Sequence, residues 1–237
     1  MKHPFRAYIL PLFPLAAGMV GLLLRLWLFS AIDEKGLLPA SHFADSVLYI
    51  LTALTLGLLF PVSRSQRPRP IRQRFSRAAS VLGCLLGSIG MILTGFSHQS
   101  TRFSGIGAAA CIVGGLALLA MAVLKIFRKR ISYVFPATLT LALMLDTIAQ
   151  CQSWGSAPQL QEYFFPLMAS VFLILCVYHI TLHIAGSGKA NLLTFFSQSA
   201  VFFCCTCLNI SRWFFYLGLL LWIISLQFSC NHKQKEA

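Results

Sequence analysis

The sequence predicts an all-α integral membrane protein, a polytopic helical bundle of eight transmembrane helices with both termini cytoplasmic. Three observations carry that expectation. First, 57% of the 237 residues are hydrophobic and 11% are charged, against roughly a quarter charged in a soluble domain. Second, the apolar residues fall in long runs, and about 20 such residues in a helix cross the ~30 Å hydrocarbon core of a bilayer. Third, the basic residues fall between those runs on alternate connections, which orients a multi-pass chain. The whole chain, residues 1–237, reads as one membrane domain with no room for a soluble one.

The first span is expected at about residues 7–30. A short basic start precedes it, but the apolar run is too long for a signal-peptide core and lacks a clear small-x-small cleavage site. It therefore reads as a retained helix, with Pro11 and Pro14 near its start. The polar turn "AIDEKGLLPAS" leads to a second span at about 42–62. "SRSQRPRPIRQRFSR" follows, with six arginines. The third and fourth spans fall at about 78–97 and 106–126, the fourth ending at "KIFRKR". The fifth and sixth fall at about 133–151 and 163–185, with Pro136 and Pro166 near their starts, where proline is tolerated. The last apolar stretch, from Leu192, is either one long broken helix, giving seven spans, or two short ones at about 192–208 and 211–228. Two helices of ~18 residues would each rise ~27 Å, and "LNISR" supplies a turn between them.

Charge supports that count. With the N-terminus inside, fifteen of the nineteen basic residues lie on the inner side, and Arg25, Lys35, Arg102 and Arg212 lie toward the outer side. The tail residues Lys233 and Lys235 join the inner set only if the span number is even. Of six acidic residues, Asp33, Glu34, Asp45, Asp146 and Glu162 all fall on the outer face or in the outer third of a span. The net charge of +13 thus reads as topology signal and contact with anionic lipid headgroups at the basic inner loops. Nucleic acid is not the expected partner. The expected partners are the bilayer and a protein partner or second copy of the chain. No internal repeat marks a transporter's central site.

Several polar groups require an explanation. Arg25 lies inside "GLLLRLWLFS", ~7–8 Å from the outer end of its span at helical rise. It either snorkels to the interface beside Trp27 or pairs inside the bundle. Asp45 and Asp146 lie at similar depth, and either is a candidate partner. Together Arg25, Asp45 and Asp146 form the candidate binding site. His179 and His183 are four apart on one helix face, a spacing that can share a metal, but Ile180 stands where a zinc enzyme would want Glu and no third ligand is evident. No metal or cofactor is expected. Eight cysteines suggest no disulfide framework, and the C-x-x-C of Cys204 and Cys207 reads as packing because redox use needs an accessible thiol. "GSGKAN" reads as an inner turn. Gly83 and Gly87 form a small-xxx-small face for close helix packing. "NIS" at Asn209 matches a glycosylation acceptor, set too close to the membrane for that use.

"GLLLRLWLFSAIDEKGLLPASHFAD" and "SWGSAPQLQEYFFPLMASVFLILCVYH" resemble a family of uncharacterised multi-spanning membrane proteins of Clostridia-type bacteria. The resemblance implies a bacterial cytoplasmic membrane and this topology, and implies no chemistry. Three functional classes remain open: a structural or accessory membrane component, a small-molecule or ion transporter with a polar site near the outer leaflet, and a membrane-embedded enzyme. Against the enzyme stands the absence of a clustered acid, base and nucleophile set.

Overall fold

The structure is a computed structural model. It describes residues 5–31, 43–64, 77–97, 104–129, 131–154, 161–209 and 212–231. The arginines between 65 and 76, together with Asp33, Glu34, Lys35, Arg102, Lys233 and Lys235, lie outside the described residues.

Eight helices and no strands make up the described residues: α1 (Phe5–Ser30), α2 (Phe43–Arg64), α3 (Arg77–Ser97), α4 (Ser104–Ile126), α5 (Val134–Trp154), α6 (Gln161–Ile184), α7 (Ala190–Thr206) and α8 (Trp213–Asn231). Six of them, α1 to α6, are long and apolar enough to cross a membrane. The final apolar stretch divides into two shorter helices rather than one broken one. The division comes earlier than the polar residues of "LNISR" suggest. α7 stops at Thr206, where the Cys207 N–H turns back to the carbonyls of Phe203 and Cys204. α8 is started by the Arg212 carbonyl, which accepts from the N–H groups of Phe215 and Tyr216. Pro11 and Pro14 fall in the second and third turns of α1, because that helix begins as early as Phe5.

The hydroxyls along these helices are largely satisfied within them. Thr52, Thr55, Thr94, Thr138, Thr140, Thr147, Thr181 and Thr194 each donate to the carbonyl four residues back. That bond lets a helix carry threonine where no water is present to receive it.

α3, α4, α5, α6, α7 and α8 each pack on the next, and α3 closes on α8, so six helices form a ring. α1 and α2 lie outside it, docked chiefly on α7. Neighbours in the chain run antiparallel. α1 and α7 run in the same direction, since Gly18 lies against Phe202 and Cys205 and Gly21 against Thr206. α1 therefore begins, and α8 ends, at the same end of the bundle.

Two features fix the register of the ring. The Gly83–Gly87 face packs, as its spacing predicts, against α8. A Cβ on Gly83 would lie 2.5 Å from the Trp222 backbone nitrogen, and one on Gly218 would enter the backbone of Gly87. Only glycine permits that approach, and the dispersion gained along it substitutes for a hydrophobic driving force that lipid does not supply. Between α6 and α7 the device is aromatic. Phe165, Phe172 and His179 repeat at seven residues and meet Phe196 and Phe203, also seven apart. Phe172 stacks on Phe203 at 5.0 Å and His179 on Phe196 at 4.9 Å. α7 is enclosed by these neighbours, and every side chain from Ser197 to Thr206 is buried.

Candidate functional site

The buried charged groups fall in two places, toward opposite ends of the bundle. The first contains Arg25, Asp146 and Arg212, and is called the carboxylate end. The second contains Lys125, and is called the lysine end.

At the carboxylate end, Asp146 lies just past the middle of α5 and is 3% exposed. One guanidinium nitrogen of Arg212 reaches both its oxygens, at 3.1 Å and 2.8 Å. Gln150, one turn on along α5, donates to Oδ2 at 2.6 Å, and the Cys111 thiol of α4 donates to Oδ1 at 3.2 Å. Of the two candidate partners for Arg25, Asp146 is paired with a different arginine. The arginine on Asp146 is Arg212, from the turn before α8, 66 residues further along the chain. A buried carboxylate is tolerated when a cation and further donors replace its water, and here the donors come from three separate segments.

Arg25 is buried, 3% exposed, so it does not snorkel to an interface. It points from α1 to the C-terminal end of α7, donating to the Thr206 carbonyl and to the Cys207 sulfur, each at 3.3 Å. The rings of Phe29 and Phe165 flank its guanidinium at 5.3 Å and 5.6 Å. A helix C-terminus presents unpaired carbonyls and partial negative charge, which suits a cation. Asp45 sits in the first turn of α2, in the part of that helix where Tyr49 meets Phe164 and Phe165 of α6. The three candidate residues therefore share one end of the bundle, on α1, α2 and α5.

Of the cysteines near Arg25, Cys204 and Cys205 are packing groups, and Cys207 also accepts from the guanidinium. Cys204, Cys205 and Cys207 are free thiols, fully buried, and the Cβ of Cys205 fills the space Gly18 leaves open. Asn209 of "NIS" has its buried Oδ1 without a hydrogen-bond partner, and Ser211 lies outside the described residues.

At the lysine end, Lys125 closes α4 yet is only 6% exposed. It donates to the Ser80 hydroxyl of α3 and lies 5.7 Å from the ring centre of Trp222 on α8. Neighbouring α7 and α8 add Gln227, which donates to Ser197 at 3.1 Å, and Ser225, which donates to the Trp222 carbonyl. The Ser199 hydroxyl and the Trp222 indole nitrogen are buried without a partner. The sequence groups Lys125 with the basic residues of "KIFRKR" on the inner side. A signal of its burial was present: it follows Leu118 and Met121 by seven and four residues, on the buried face of α4.

Two turns at the lysine end share one geometry. Beyond α4, Lys129 N–H bonds the Leu124 carbonyl and Arg128 N–H the Lys125 carbonyl, with Arg128 at φ +56°. Beyond α6, Ser187 and Gly186 make the same pair of bonds to Leu182 and His183, with Gly186 at φ +86°. Both are left-handed helix caps, so "GSGKAN" is a turn. His179 serves as a rung of the aromatic ladder, and among the described residues no group of three or more His, Cys, Asp or Glu is placed to hold a metal.

Comparison with known proteins adds no identity: no family model matches the chain, and no curated protein or solved structure matches it.

Proposed function

We propose that this chain is a multi-pass component of a bacterial cytoplasmic membrane with a structural or accessory role, its buried charges acting as locks between helices. The observation that carries the reading is Asp146. Its two oxygens receive donors from α4, α5 and the α7–α8 turn, which is what a structural ion pair needs to offset its desolvation. The lysine end is the cytoplasmic one: Arg64, Lys125, Arg128, Lys129 and Lys189 all lie there, as the positive-inside rule requires. All eight helices then span, with α7 and α8 rising ~25 Å and ~28 Å.

The test is a double-mutant cycle on the purified protein. Arg212→Gln and Asp146→Asn should each lower the melting temperature, and the double variant should be no worse than Arg212→Gln alone. Additive losses reject the lock. A second reading, a small-molecule or ion transporter, is favoured by the concentration of ionisable groups at one end of the bundle. Saturable uptake into proteoliposomes that Asp146→Asn abolishes without loss of fold would establish it.

A further inference from the structure

We propose that Lys125, Ser80 and Trp222 form a binding site for a phosphate-bearing anion at the lysine end of α3, α4 and α8. The argument begins with direction. A helical side chain leans toward its own N-terminus, so Lys125 at the close of α4 leans inward, away from the end of the helix. It reaches a neutral hydroxyl and an aromatic ring. Among the described residues no carboxylate lies within ion-pair distance of its ammonium. A buried cation held by neutral partners carries a desolvation cost that an incoming anion offsets.

Two groups beside the ammonium have a hydrogen left to donate. Ser80 accepts from Lys125 and keeps its own O–H to give. Trp222 is 2% exposed, and its Nε1–H, which can only donate, has no partner. An ammonium, a hydroxyl and an indole N–H from three helices match an acceptor-only ligand with several oxygens. The glycine register holds the three together: Gly83 against Trp222 and Gly87 against Gly218 bring Ser80 level with Ser225, one turn from Trp222. Arg128 and Lys129, exposed just beyond α4, draw anions toward the site. The source is either the headgroup of an inner-leaflet lipid or free phosphate. The site is at the opposite end from Asp146, so it stands or falls separately from the structural reading of that residue.

The experiment is thermal unfolding of the full chain in detergent, titrated separately with phosphatidylglycerol, with inorganic phosphate, and with diacylglycerol of the same acyl chains. Phosphatidylglycerol should raise the melting temperature and diacylglycerol should not. Lys125→Met should abolish the rise or raise the half-saturating concentration at least ~10-fold, the worth of one charge-assisted bond. A rise with inorganic phosphate that Lys125→Met likewise removes supports the site with a free anion as ligand. Trp222→Phe, which keeps the ring and removes only the N–H, should weaken the response, and it serves as the test if Lys125→Met fails to fold. Equal shifts in wild type and variants, an equal shift with diacylglycerol, or no shift with either phosphate probe would overturn the proposal.

Discussion

The two polar layers solve one problem in opposite ways. At the carboxylate end, Asp146 meets an arginine, an amide and a thiol within the chain itself. At the lysine end, Lys125 meets a hydroxyl and a ring, and the indole N–H and the Ser199 hydroxyl nearby remain unpartnered. The difference teaches that burial alone says little about what a charge does. What matters is whether the surrounding groups exhaust its hydrogen-bonding capacity. The first layer is closed and rigidifies the bundle. The second is incomplete among the described residues, which is the opening the proposed anion site rests on.

The largest expected effect comes from breaking the closed layer. Arg212→Gln leaves Asp146 buried beside a neutral partner, and should destabilise by about 3 kcal/mol, read as a fall in melting temperature in detergent. Between the layers, Gly218→Ala pushes a methyl into the Gly87 backbone and should cost about 2–3 kcal/mol. A loss below ~0.5 kcal/mol would show that α3 and α8 pack less closely than this register. Cys111→Ala removes a single weak donor from Asp146 and should cost about 1 kcal/mol, distinguishing a minor partner from Arg212. The comparison is sharpest for Lys125→Met in lipid-free detergent. An isolated buried cation replaced by an apolar side chain of similar length should leave stability unchanged or higher. A loss as large as that of Arg212→Gln would mean that the lysine end is closed too. Away from both layers, Arg128→Gly relieves a left-handed residue at the α4 cap and should gain about 0.5–1 kcal/mol, read as a rise in melting temperature.

The helices were legible in the sequence because each is a long apolar run bounded by polar residues, and the expected bounds lie within three residues of those observed. The turn at Cys207 was less so. α7 ends among cysteines that read as helix interior, and what stops it is a local backbone turn rather than a polar side chain. The candidate site was half legible. Depth along a span, counted at helical rise, groups Arg25, Asp45 and Asp146 toward one end. It does not give the azimuth around the bundle, and azimuth decides pairing. Arg212 was taken for a loop charge because its partner is 66 residues away and only the ring closure brings α5 to the α7–α8 turn. Lys125 was read with the basic residues beside it in sequence, but α4 runs to Ile126 and keeps Lys125 on its buried face, while Arg128 and Lys129 fall in the exposed turn beyond it.

The docking of α1 on α7 has a consequence for how the chain is made. Arg25 is translated 181 residues before Thr206, whose carbonyl receives it. At ~5–20 residues per second that interval is roughly 10 to 40 s. Through it the first helix holds a cation whose α7 seat has not been synthesised. A nascent chain halted before residue 190 should therefore keep α1 in crosslinking range of the insertion machinery, and an Arg25→Leu chain should release it into lipid early. A helix made early would then be seated only by one made 181 residues later.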